Sequence, residues 1–285
     1  MAKVVIAGCG FAGLATGRAF LAAGWEVVGL THSEESAAGL RGEDFPVLGC
    51  DITDRERLSA LPEVKGAEVV IHAASSGRGG AEQYRAVYLG GAKALAEVMQ
   101  PRVIVFTSST SVYAQTDGSW VSEESEANPD RETGQILRET EEFVIGCGGI
   151  VARLGGIYGP GRSVLLRKFL AGEAVIEGDG FKWLNQIHRE DIASGLLHLV
   201  TVKAGGIFNL SDDQPLEQRA VYEFLAERFK REMPPRGAID LNRKRGWTNK
   251  RVSNAKLRLS GWVAGYASFL DAVVRDGDLV GSEIS

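Results

Sequence analysis

The sequence predicts an α/β fold: a doubly wound parallel sheet with a smaller, mostly C-terminal lobe. Three observations predict it. Short β-branched runs alternate with helical patterns through the first half of the chain. Those runs are continuously apolar, as in strands covered on both faces, rather than alternating. A glycine-rich turn stands between the first strand and the first helix. Strand–helix alternation of this kind implies parallel pairing through right-handed crossovers.

The elements follow in order. KVVIA (3–7) is the first strand, and helix 11–23 is kept thin by Ala15, Gly17 and Ala19. EVVGL (26–30) precedes helix 34–40, VLGC (47–50) precedes helix 54–60, and EVVIHAA (68–74) precedes helix 80–99. RVIVFTS (102–108) precedes helix 131–146, and GIVARL (149–154) closes the regular series. After residue 155 the pattern changes to the turn-rich GGIYGPGR, a helix at 163–171, a short strand, and LNQIH leading into a helix at 189–201. GIFNL (206–210) reads as one more strand of the main sheet, and helix 217–230 opens the tail. Pro234–Pro235 and NRKRGW (242–247) read as exposed connections, the basic run being a solvated face.

The 285 residues suffice for one large domain with an appended lobe. A 44% apolar and 24% charged composition is that of an ordinary globular protein. A net charge of −5 without long runs asks for neither nucleic acid nor an acidic membrane surface. Cys9, Cys50 and Cys147 are scattered, with no metal-ligand spacing, and fit a reducing cytoplasm better than a disulfide framework. The N-terminus enters a strand at once, and no segment approaches a membrane-spanning length.

GCGFAG places Gly8, Gly10 and Gly13 as G-x-G-x-x-G between strand and helix, the context that gives the pattern weight. Gly8 allows the tight turn, Gly10 the approach of a pyrophosphate, and Gly13 close helix–strand packing. With Phe11 and Ala12 they open a helix whose free N–H groups favour phosphate. A nicotinamide dinucleotide is the expected cofactor, and residues 1–154, joined by 186–210, are its expected Rossmann domain. Residues 155–185 and 211–285 form the expected substrate lobe. The second strand ends in Thr31, His32 and Ser33 rather than in the carboxylate that usually holds the ribose of NAD. Glu34 and Glu35 suit the first helical turn instead. That favours NADP over NAD, although no arginine in the segment clamps a 2′-phosphate. Asp51 is a candidate partner of the adenine amino group, with Ile52 against the ring. Ala73, Ala74 and Ser75, small residues at the end of the fourth strand, leave room for the cofactor.

These pieces, GCGFAG, CDITD, VVIHAAS, VFTSSTSVY, ARLGGIYGPGR, IHREDIA and FNLSDDQP, together resemble the extended short-chain dehydrogenase/reductase family. The match is to its NAD(P)-dependent epimerase/dehydratase branch, nearest to an atypical bacterial subgroup, and runs from residue 3 to about 230. The resemblance implies an oxidoreductase acting on a small substrate, with sugars among the candidates. It also implies a catalytic hydroxyl four residues before the tyrosine of VY. Tyr113 is that tyrosine, so the hydroxyl is Ser109. At a strand's carboxyl end such a hydroxyl can donate to a substrate oxygen as charge develops there.

The family's Tyr-x-x-x-Lys pair, one turn apart on the next helix, supplies an acid/base and the cation that tunes it. In RETGQILRET (131–140), counting from Pro129 puts Thr133 and Leu137 in those two positions, with Glu141 on a common acidic one. A shift by one gives Gly134 and Arg138. Neither register holds a tyrosine. Tyr113 is the first candidate to replace it, with Tyr88 and Tyr158 after it. Arg153, Asn185 and His188, with Arg162, are the candidate substrate contacts. A cofactor-binding regulator or scaffold without hydride transfer is the alternative. The resemblance also allows a homodimer through helices 80–99 and 131–146.

Overall fold

The computed structural model describes residues 1–77, 79–242 and 246–284, so the core of the basic run, 243–245, lies outside the described residues. Seven strands form one parallel sheet: β1 (Lys3–Ala7), β2 (Glu26–Thr31), β3 (Val47–Gly49), β4 (Val69–His72), β5 (Val103–Ser109), β6 (Ile150–Leu154) and β7 (Gly206–Leu210). Their spatial order is β7-β6-β5-β4-β1-β2-β3. The expected doubly wound sheet is therefore the fold of the chain.

The helices alternate across the sheet. On one face α1 (Phe11–Ala22) packs with α8 (Arg189–Thr201) over Val4, Ile6, Phe20, Ile71 and Leu196. On the other lie α3 (Arg55–Ala60), α5 (Gly91–Met99) and α6 (Glu132–Gly146), over Val5, Val70, Phe106 and Val151. The short α2 (Glu34–Ala38) follows β2 and is capped by Ser33.

The expected helix 80–99 is present but not uniform. It divides into α4 (Ala81–Tyr84), a π-helical turn at Arg85–Gly90, and α5. A buried ring lies beneath the π turn. His72 is fully buried, and its Nε2 lies 3.1 Å from the carbonyl oxygens of both Val87 and Tyr88. Those carbonyls accept, so Nε2 carries the hydrogen, and the ring supports backbone groups of the widened turn.

A third core, around Tyr158, Phe169, Tyr222 and Phe269, builds the lobe from α7 (Val164–Leu170), α9 (Gln218–Phe229), α11 (Phe269–Arg275) and α12 (Gly277–Ile284). Between α9 and α11 lies α10 (Ala255–Leu259). Short pairings tie lobe to sheet. Gly156–Tyr158 runs parallel to Gln186–His188, and Arg251–Val252 runs parallel to Trp120–Val121. No helix among the described residues is long and apolar enough to cross a membrane.

Register positions the site. Ala7 pairs with His72 and His72 with Phe106. β5 then runs three residues further, until Ser109 lies beside Leu154. Gly8, Ala73, Ser109 and Gly155 thus emerge at one edge, where ligands bind open α/β sheets.

Candidate active site

A cleft of about 720 Å³ runs along that edge. Gly8, Gly10, Phe11, Ala12, Gly13, Thr31 and His32 form one wall, with Ala73, Ala74 and Ser75 beside them. Ser109 and Ser111 also line it, as do Arg162, Lys182, Asn185, Thr248 and Lys250.

The glycine wall fits a dinucleotide. Gly8 has φ +102°, and a Cβ there would lie 2.2 Å from Ala74 N. A Cβ on Gly13 would lie 2.2 Å from Gly8 O, so this residue lets helix and strand touch. A Cβ on Gly10 would meet nothing within 4 Å and would project into open space. Gly10 caps α1 with no side chain, leaving first-turn N–H groups and the positive end of the helix dipole for an anion. Phe11 also lies under two guanidinium groups, Arg162 at 5.3 Å and Arg189 at 5.1 Å from its ring centre.

At the tip of β2, Thr31 and His32 line the cleft, while Ser33 accepts the N–H of Ser36 as a helix cap. Glu34 is turned away to Arg57, 2.6 Å from its Nη2. The exposed His32 has Nδ1 3.5 Å from Asp51 Oδ2. Asp51 accepts from the N–H and hydroxyl of Thr53 at 2.9 and 2.8 Å, and Ile52 is buried in the core. Neither Asp51 nor Ile52 lines the cleft.

A family model for the NAD dependent epimerase/dehydratase family matches residues 4–211. The chain is 30% identical over 264 residues to protein YeeZ of Escherichia coli K12, covering 89% of this chain and 94% of that protein. The chain belongs to the NAD dependent epimerase/dehydratase family. A Methylobacillus flagellatus structure assigned as an NAD-dependent epimerase/dehydratase superposes with a TM-score of 0.79 at 26% identity, covering 100% of this chain and 99% of that one. The UDP-glucose 4-epimerase of Bifidobacterium longum, solved with NAD+ and UDP, shares the fold at TM-score 0.77 and 18% identity, over 99% of this chain and 97% of that one.

In this family member α6 holds neither a tyrosine nor a lysine. Thr133, in its first turn, is nearly buried and does not line the cleft. Leu137 fills the core instead. Ser109 lines the cleft, and its Oγ accepts the Ser111 N–H at 3.2 Å. Tyr113 does not reach the cleft. It is fully buried, donates to Asn209 Oδ1 at 2.9 Å, and its ring lies 4.8 Å from the Arg153 guanidinium. Tyr158 is likewise buried in the lobe and donates to Asp212.

Two expected substrate contacts are also structural. Arg153 is 1% exposed and donates to both oxygens of the fully buried Glu141, at 3.0 and 2.7 Å. Glu141 also accepts from Ser108 and Arg138 at 2.5 Å each. His188 caps α8, with Nδ1 accepting the Glu190 N–H and Nε2 3.2 Å from Asp276, behind Tyr158 and Tyr266. Its burial holds its pKa below the ordinary value. Asn185 does line the cleft, but its amide is occupied. Nδ2 donates to Lys250 O at 2.8 Å, and Oδ1 accepts the Val252 N–H at 2.6 Å.

Tyr88, in the π turn and one of the expected replacements for the missing tyrosine, does line the cleft. Sequence reasoning missed two cations of the wall and a buried ring. Lys182 and Lys250 line the cleft from the lobe, two cations in segments with no periodic signal. The buried ring is His72, which does not itself line the cleft but whose support of the π turn has a measurable consequence. Burial lowers its pKa from 6.5 to about 4. Between those values the unfolded chain binds a proton that the folded chain does not, so stability falls as pH falls. Acidification from pH 7 to 4 is expected to cost about 3 kcal/mol through this residue. His72→Phe should flatten that part of the stability–pH curve in urea unfolding; an unchanged slope would remove His72 as its cause.

Proposed function

We propose that this chain is an NAD(P)-dependent oxidoreductase of epimerase/dehydratase type, acting on a small, sugar-like substrate, with its proton chemistry moved off α6. One observation carries the reading: a single cleft joins the glycine loop, Ser109 and the lobe's lysines. The first turn of α1 would hold the pyrophosphate. Thr31, His32 and Ser36 would face the adenosine ribose, and the absence of a carboxylate among the cleft-lining residues there supports NADP over NAD. When bound, the nicotinamide supplies the hydride chemistry. Ser109 would donate to the substrate oxygen, and the Ser111 hydroxyl, buried without a partner among the described residues, stands next to it. The UDP-glucose 4-epimerases of like fold put nucleotide sugars first among substrates to test.

The second reading, a cofactor-binding regulator, is favoured by the content of α6 alone. Calorimetry with both cofactors, then turnover across a sugar and nucleotide-sugar panel, separates the two. The enzyme reading expects tighter binding of NADP than NAD, and turnover that Ser109→Ala lowers about a hundredfold. Tight binding with no turnover across the panel favours the regulator. Failure to bind either cofactor sinks both.

A further inference from the structure

Within the oxidoreductase reading, one group in the cleft has the placement and chemistry to move the proton. We propose that Lys250 is the catalytic acid/base, exchanging a proton with a substrate hydroxyl at the lobe wall.

The backbone there is held from several sides. Besides the two bonds from Asn185, the Asn249 N–H donates to Gln115 O at 3.0 Å. Asn249 O accepts the Gly118 N–H at 2.9 Å, and its Oδ1 accepts the Trp183 N–H at 2.9 Å. Residues on either side of Lys250 are thus anchored to two other segments, 115–118 and 183–185, which fixes where its side chain starts.

Lys250 is one of the residues that line the cleft, although it is only 4% exposed. Its Nζ donates to Thr248 Oγ1 at 2.7 Å. An ammonium has three donors, and among the described residues no carboxylate lies within ion-pair distance of this one. Among the described residues, the charged group that acts on it is Lys182, a like charge. Glu177 does not compensate, because it takes Lys182 at 3.3 Å and Trp247 Nε1 at 3.2 Å. Arg251 is stacked between Trp120 and Trp183, 5.2 and 5.0 Å from their ring centres. Burial and the neighbouring cation push the Lys250 amine down to about 7. An amine so placed is part neutral at physiological pH and can both take and return a proton. Tyr88 is the weaker candidate. Its ring lies against Tyr84, His72 and Phe106, and a phenol needs a nearby cation to act at neutral pH.

The step balances. The neutral amine takes the hydroxyl proton of a substrate alcohol and becomes ammonium, while the substrate carbon gives its hydride to an oxidised nicotinamide dinucleotide. A ketone is left, and the reverse step returns both.

Two measurements test this. The first needs no activity: the Cε resonance of Lys250 in ¹³C-lysine-labelled protein, assigned by its loss in Lys250→Arg, is followed from pH 5 to 10.5. A midpoint near neutrality is expected; one above about 9, in the ordinary lysine range, overturns the assignment whether or not a substrate is known. The second is turnover. Lys250→Met and Lys250→Arg should both lose about a hundredfold or more in kcat, and the wild-type pH profile should follow the resonance midpoint. Arginine keeps the charge but cannot release a proton, so rescue by Lys250→Arg would demote Lys250 to a positioning cation. Wild-type rates in Lys250→Met would sink the role while leaving the oxidoreductase reading intact. A wild-type chain that never turns over would sink both.

Discussion

A Gly10→Val chain is expected to fold like the parent and to bind the dinucleotide about a hundredfold more weakly. The two halves of this result have different causes. Gly10 has φ −99°, outside the left-handed region, and a Cβ added there meets nothing within 4 Å, so the substitution introduces no clash at Cβ. The space it enters is the approach to the first turn of α1. Blocking it would cost the phosphate two charge-assisted hydrogen bonds of about 1.5 kcal/mol each, near 3 kcal/mol in all, or a hundredfold in Kd. Calorimetry for binding and thermal unfolding for stability check the two halves separately. A Kd unchanged in a folded variant would place the pyrophosphate elsewhere. Gly8 and Gly13 cannot give so clean a result, because Cβ atoms there would collide with backbone at 2.2 Å.

Glu141→Ala is expected to destabilise the chain by about 3–5 kcal/mol, the cost of leaving a buried guanidinium without its carboxylate. Glu141 is 0% and Arg153 1% exposed, and their pairing is bidentate. Ser108 would lose its acceptor as well. Replacing both members with apolar residues, Glu141→Leu with Arg153→Met, should recover most of the loss, since the desolvation of both charges is then relieved together. Urea unfolding measures it. A loss under about 1 kcal/mol for the single variant would mean that water reaches Arg153.

This pair also shows how far the sequence could be read. Every strand of the sheet was visible as a short continuous apolar run, because a strand covered on both faces leaves that mark. The cofactor loop was visible because three glycine positions serve three backbone demands. Arg153 was visible too, but its meaning was not. A charged residue inside GIVARL marks a buried partner as readily as a ligand contact, and the partner, Glu141, lies on another element. His188 misled in the same way, since a helix-capping histidine and a substrate-binding one share the same local sequence. Lys250 left no local signal at all. TNKRV is polar and aperiodic, and burial comes to it only through pairing with Trp120–Val121 and the clasp of Asn185. Nor could the π turn be foreseen from residues 85–90, because the ring that supports it belongs to β4.

The cleft spans nearly the whole chain, with Gly10 in one wall and Lys250 in the other. Contacts so distant in sequence form late, because the loops that close them cost entropy before the contacts repay it. During synthesis the glycine loop and its strands emerge first and the Thr248–Lys250 segment near the end. The burial of the Lys250 amine exists only once its segment has docked. Both walls are therefore complete only once the segment that carries Lys250 has docked against Trp120–Val121 and Asn185.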